Sequence, residues 1–224
     1  MMDIDSIIQG IAILALPVIL AITMHEAAHG YAAKYFGDAT AFKAGRISLN
    51  PAKHIDPIGT ILVPAILFVV SKVAMGAGFL FGWAKPVPVN FSNLRHPKKD
   101  MLWVAFAGPG ANLLMACFWA LIIKLAMILP ITELTKPMLL MGIAGIEINL
   151  ILMVLNLLPL PPLDGGRVVE SLLPHSLAYQ FSRVEPYGMM ILLVLLFSGV
   201  LGAIVLPMIN FIKLIMVSFF GLYD

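Results

Sequence analysis

The residues best equipped for chemistry stand in the stretch ILAITMHEAAHGYAAKYFG, residues 19–37, at the far end of an apolar run that begins at Ile7. On a helix, His25 and His29 are one turn apart on one face, close enough for both imidazoles to reach a single metal ion. Glu26, one position along, turns off the ligand axis and stays near a reacting water. This is the H-E-x-x-H arrangement, in which the histidines hold zinc and the glutamate takes a proton from water. Hydrogen bonding between neighbouring helices is the plainer alternative. Ionisable groups cost free energy to bury among apolar neighbours, however, and three of them at ligand spacing point to a metal.

A catalytic zinc takes three protein ligands and keeps a fourth position open. His54, His96 and His175 fall in polar connecting segments. The stretch LNLLPLPPLDGGR, residues 155–167, instead ends an apolar run with Asp164 beside Gly165 and Gly166. An aspartate at such depth calls for a cation, and the glycines allow backbones to approach closely. The same residues also read as a polar turn or a helix cap, and the residues alone leave both readings open. His54 and Asp56 in HIDPIG read as a solvated turn rather than a second metal site.

These groups must be positioned by elements whose solvent is lipid. Hydrophobic residues make up 61% of the chain and charged residues 12%, against about 45–50% and about 25% in ordinary globular chains. The composition predicts an all-α polytopic membrane protein, a single membrane-embedded domain over residues 1–224. The net charge of +2 is too small to suggest a nucleic-acid partner, and none is expected. The single cysteine, Cys117, lies in an apolar run, rules out a disulfide within the chain and reads as helix packing. MMDID lacks the basic start of a secretion signal, and no small-residue cleavage site follows, so the first apolar run is expected to remain as a spanning helix. Pro17 is a candidate kink in it and Gly37 a candidate C-cap.

Further apolar segments cover residues 57–81, 101–129, 137–158, 187–206 and, after Pro207, the shorter 209–222. About 20 apolar residues cross a bilayer, so about five to six membrane segments are expected. Lys34, Lys43, Arg46 and Lys53 follow the first helix, whereas Asp3 and Asp5 precede it, which puts the N-terminus outside and residues 38–56 in the cytosol of a cell with this cytoplasmic membrane. Lys85, Arg95, Lys98 and Lys99 mark the next loop as cytosolic too. Residues 57–81 therefore read as a re-entrant hairpin with its broken middle at SKVAMGAG, residues 71–78. Irregular backbone at that depth requires cover by protein or a water-filled cavity.

HEAAHG on a first hydrophobic helix, followed by NLLPLPPLDGGR, resembles the site-2 protease family of intramembrane zinc metalloproteases, whose second motif is N-x-x-P-x-P-x-L-D-G. Its fixed positions are met by Asn156, Pro159, Pro161, Leu163, Asp164 and Gly165. NPAKHIDPIGT, FGWAKPVPVN and AGPGANLL extend the likeness to the compact prokaryotic branch, over residues 25 to about 187. The resemblance implies one zinc held by His25, His29 and Asp164, with Glu26 as general base. It also implies hydrolysis of peptide bonds within or near transmembrane segments of other proteins, the lipid bilayer being the second partner. The chain has no stretch matching the PDZ or CBS domains of other branches.

Under that reading Asn156, and after it Asn112 in GPGAN, are the candidates to bind substrate backbone or the developing oxyanion, with interhelical hydrogen bonding the alternative for each. In GWAKPVPVNF, Pro86 and Pro88 exclude helix, and Val87 and Val89 alternate as on an edge strand. A short extended segment near residues 84–90 is therefore expected, either capturing unwound substrate through its main chain or serving as a plain connector. An ion or metal transporter is the competing function, since intramembrane His, Glu and Asp also line ion paths. No inverted repeat supports it. An inactive family scaffold is the third possibility, and the intact Glu26 argues against it.

Overall fold

A computed structural model of the chain describes residues 4–75, 82–130 and 132–222, and among them the protein is all-helical. Four helices are long and apolar enough to cross a membrane: α1 (Ile4–Tyr35), α4 (Pro97–Ile128), α5 (Thr135–Asn156) and α9 (Val200–Phe220). Between them lie the short α2 (Thr40–Lys43), a π-helical turn at Pro57–Leu62 continuing into α3 (Val63–Met75), α6 (Asp164–Leu172), α7 (His175–Ser182) and α8 (Glu185–Phe197). The axes of α7 and α8 meet at 60°.

Local chemistry sets these boundaries. Gly37, at φ +113°, ends α1 as the expected cap. At the start of α4, Pro97 supplies a fixed φ while Asp100 accepts the His96 N–H at 2.7 Å. The division expected at Pro207 is displaced. Pro207 lies inside α9, and the break falls at Ser198 and Gly199, where glycine takes φ +79°. A proline costs a helix one backbone donor, which a membrane bundle tolerates; a left-handed residue reverses the chain's course.

The core joins α4, α5, α8 and α9. Trp119 and Ile123 of α4, Leu150 and Val154 of α5, Leu192 of α8 and Leu201 and Val205 of α9 belong to one buried cluster. α1 packs on both α4 and α5, and α6 packs on α4. The outward surface is apolar as well, with Leu114, Ile128 and Phe219 at least 72% exposed. A bundle that is apolar both inside and outside suits lipid rather than water.

One end of the bundle gathers the chemistry. The Arg95 N–H bonds Phe36 O at 2.9 Å and its guanidinium bonds Tyr35 O at 3.0 Å, which ties the end of α1 to the approach of α4. The Lys98 ammonium reaches Leu173 O at the end of α6. The excursion beginning at Pro57 returns to where it started: the Trp83 N–H donates to Gly59 O at 3.0 Å, the Thr60 hydroxyl to Trp83 O at 2.8 Å, and the Lys85 N–H to His54 O at 2.9 Å. Trp83 and Lys85 are thereby joined to residues 54–60. Of the break expected at residues 71–78, residues 71–75 instead continue α3 as unbroken helix, and the remainder lies outside the described residues. His54 is buried with Nε2 on Ser48 O, and Asp56 caps the π-helical turn through the Ile58 and Gly59 N–H groups, so neither belongs to a ligand cluster.

Residues 82–90 run without helix and without pairing into a ladder, so the edge strand expected there is a lone extended segment among the described residues. Its far end is held by Asp38, which is fully buried. One Asp38 oxygen accepts the Asn90 N–H at 2.7 Å; the other accepts the Thr40 N–H and hydroxyl and the Asn93 amide. Burial pushes the Asp38 carboxyl up, but the bonds from Thr40, Asn90 and Asn93 outweigh it and hold the group below its ordinary value. The stabilisation it contributes is thus fully present above the unfolded pKa of about 4 and is lost as pH falls through the lower folded value. Asp38→Asn should destabilise the protein by about 1–3 kcal/mol at neutral pH. The difference in thermal midpoint between variant and wild type should shrink on acidification, and a gap that is constant with pH would remove the charge from this account.

Candidate metal centre

His25 and His29 leave α1 on the face turned toward α4 and α6, where Asp164 opens α6. The two Nε2 atoms are 3.1 Å apart, and each is 3.3 Å from Asp164 Oδ2. The side chains are 10%, 11% and 18% exposed, so solvent touches the cluster chiefly at the aspartate. Among the described residues this is the group of His, Cys, Asp and Glu that could hold a metal ion.

The hydrogen-bond network assigns the imidazole protons. His29 Nδ1 lies 2.7 Å from Val104 O, which can only accept, so Nδ1 carries the hydrogen. His25 Nδ1 lies 2.6 Å from Asn112 Oδ1. The Asn112 amide is oriented in turn, its Nδ2 donating to Ala21 O at 3.3 Å and to Asn149 Oδ1 at 3.0 Å, while Asn149 Nδ2 donates to Gly145 O at 2.8 Å. In neutral rings this arrangement leaves both Nε2 atoms as bare lone pairs facing a carboxylate oxygen. Asp164 Oδ2 is buried and receives no hydrogen bond. Three electron pairs converging in this way repel unless a cation lies among them.

The spacing fits zinc. Bonds of about 2.0–2.1 Å in a tetrahedral site put ligand atoms about 3.3–3.4 Å apart, close to the separations of 3.1 and 3.3 Å found here. Two further features keep the triangle open. A Cβ on Gly108 would stand 2.3 Å from His29 Nε2 and 2.7 Å from His25 Nε2, so only a glycine fits α4 at that point. A Cβ on Gly165 would stand 2.3 Å from both Leu157 O and Leu158 O, which confirms the close approach expected beside Asp164. Arg167 pairs with Glu170 one turn along α6 and with Glu185 at the start of α8, with its guanidinium over the Phe91 ring.

The other sequence candidates fall in different places. Glu26 is beside the cluster, its Oε2 accepting the Val87 N–H at 2.8 Å. Val87 is buried, Pro86 is exposed, and Pro88 and Val89 are half-buried. Asn112 is fully buried, and its amide is engaged by His25, Ala21 and Asn149 rather than turned toward an incoming chain. Asn156, the last residue of α5, donates its amide to Leu152 O at 2.9 Å. Sequence reasoning missed Asn149, the Val104 carbonyl and the clearance at Gly108. An asparagine at depth in the 137–158 run was the one visible signal for Asn149.

Gly108 and Gly110 give a paired test, because a Cβ on Gly110 meets nothing within 4 Å. Gly108→Ala should lower metal retention at least about 10-fold, as disturbance of ligand support does, whereas Gly110→Ala should retain metal like wild type. Elemental analysis of the purified proteins decides; full metal in Gly108→Ala would contradict the packing described.

A family model for peptidase family M50 matches residues 131–199, a span that includes Asn156 and Asp164. YwhC of Bacillus subtilis (strain 168), described as a candidate zinc metalloprotease, is 41% identical over 201 residues, which are 88% of this chain and 85% of that protein. Rip2 of Mycolicibacterium smegmatis (strain ATCC 700084 / mc(2)155), with the same description, is 26% identical over 185 residues, 82% of this chain and 66% of that protein. Rip2 of Mycobacterium tuberculosis (strain ATCC 25618 / H37Rv) is 27% identical over the same shares. No solved structure matches the chain. Identity sustained through nearly the whole length of a relative, together with the family match across the Asp164 segment, decides the membership: the chain belongs to peptidase family M50, the site-2 protease family of metalloproteases.

Proposed function

We propose that this protein is an intramembrane zinc endopeptidase that hydrolyses peptide bonds within or near transmembrane segments of other membrane proteins. The observation that carries the reading is the meeting of His25 and His29, with Glu26 between them in sequence on a helix apolar enough to span a membrane, and Asp164 at the start of α6. His25 Nε2, His29 Nε2 and an Asp164 oxygen would hold the zinc. When bound, zinc supplies a Lewis acid that acidifies water to near neutral pH and polarises a carbonyl.

The chain's own groups do the rest. Glu26, held by one oxygen at Val87, accepts with the other the proton of the attacking water and delivers it to the leaving amine as the C–N bond breaks. Asn112 holds the proton on His25 Nδ1 and thereby keeps Nε2 available. The Asn156 carbonyl oxygen, with its own N–H₂ directed at Leu152, can accept an N–H from an unwound substrate. Lys43, Arg46, Lys53, Arg95 and Lys98 lie at the end of the bundle that carries the cluster, so the positive-inside rule puts the site toward the cytosol and the N-terminus outside a cytoplasmic membrane.

Purified protein reconstituted with a model single-span substrate tests this directly. The zinc-loaded chain should cleave it, and a chelator should abolish cleavage reversibly. Glu26→Gln should keep its metal and lose about 10²–10⁴-fold in rate, while Asp164→Asn should lose metal and activity together, a neutral amide being the poorer ligand. Wild-type cleavage by Glu26→Gln, or full metal in Asp164→Asn, would overturn the assigned roles.

A further inference from the structure

The 82–90 segment carries a single backbone donor between its two prolines, and that donor is already committed. Val87 stands between Pro86 and Pro88, neither of which has an N–H, and its own N–H donates to Glu26 Oε2 at 2.8 Å. Pro86 fixes its own φ, and Pro88 restricts Val87 to extended backbone, so the triplet is stiff. Val87 is buried with its side chain on the turn of α1 that carries the motif: a Cβ on Gly30 would stand 3.3 Å from Val87 Cγ1.

Both flanks are anchored. Before Val87, the Lys85 N–H bonds His54 O at 2.9 Å, and the Arg46 guanidinium bonds Lys85 O at 2.9 Å and Pro86 O at 3.3 Å. After it, the Asn90 N–H bonds the buried Asp38 at 2.7 Å. A flexible connector needs none of these ties, and an edge reserved for substrate would leave the Val87 donor free.

We infer that the Val87 backbone N–H is the positioning group of the general base: it fixes one Glu26 oxygen so that the other faces the reacting water. The inference rests on the hydrolytic reading above and assigns to the segment a part in the chemical step rather than in substrate capture alone. The bond serves both protonation states, since Oε2 can accept the N–H while Oε1 carries the transferred proton.

The test separates the N–H from the side chain. Val87→Pro deletes the donor; Val87→Ala keeps it. In the zinc-loaded enzyme, kcat of Val87→Pro should fall about 10- to 100-fold below that of Val87→Ala, the range for a hydrogen bond to a charged group, with KM and metal content equal. Equal kcat in the two variants, or a change confined to KM, would overturn the assignment, the latter returning the segment to substrate capture. A second readout needs no turnover. With ¹⁵N-valine labelling, the Val87 amide should exchange with solvent slowly in wild type and at least about 10-fold faster in Glu26→Ala. An unchanged exchange rate would overturn the contact itself. Absence of cleavage by wild type would overturn the hydrolytic reading and leave the exchange result to decide the contact.

Discussion

Two hydrogen bonds from α4 decide what the candidate metal centre can hold. Val104 O and Asn112 Oδ1 take the Nδ1 protons of His29 and His25, and so turn both Nε2 lone pairs toward Asp164. Had either ring the opposite tautomer, an N–H would point into the cluster and the set would hold a proton network instead of a cation. The surrounding fold follows from that requirement. α4 must run close beside α1, which is why position 108 accommodates only glycine, and α5 must lie against α4 deeply enough for Asn149 to fix the Asn112 amide.

The membrane setting raises the cost of any error in this arrangement. Among apolar helices an unpaired carboxylate or a misdirected amide has no water to turn to, and the low dielectric penalises it in full. The His25, Asn112, Asn149 and Gly145 chain gives each of its amide nitrogens an acceptor, while Asp164 Oδ2 is without a hydrogen bond at the point where the ligand atoms meet. The polar loops at the same end are handled alike. Asp38 collects donors from three residues to fasten the extended segment, which in turn reaches Glu26 through Val87.

How much of this the sequence disclosed follows from which groups speak through residue type. His25, Glu26 and His29 stood out because imidazole and carboxylate groups at ligand spacing on an apolar run are costly and few, whereas Asp164 read equally as a polar turn until the resemblance of NLLPLPPLDG to a family motif joined it to them. The spans of α1, α4 and α5 were legible because lipid demands long unbroken hydrophobicity. The division of the last apolar region was not, since Pro207 is the more conspicuous breaker although Gly199 makes the turn. Backbone groups are silent in any sequence, so neither the Val104 carbonyl nor the direction of the Val87 N–H could be read. Asn112 was visible as a residue but not as a partner, because its use depends on which helix it meets.

The central claim is that His25, His29 and Asp164 hold one ion through two Nε2 atoms and a carboxylate oxygen. X-ray absorption at the zinc edge of the metal-loaded protein measures that coordination shell directly. The account predicts four nitrogen or oxygen scatterers at about 2.0–2.1 Å, with the outer-shell signature of two imidazoles and one zinc per chain. A shell containing sulfur, or one of oxygen alone without imidazole, would contradict it.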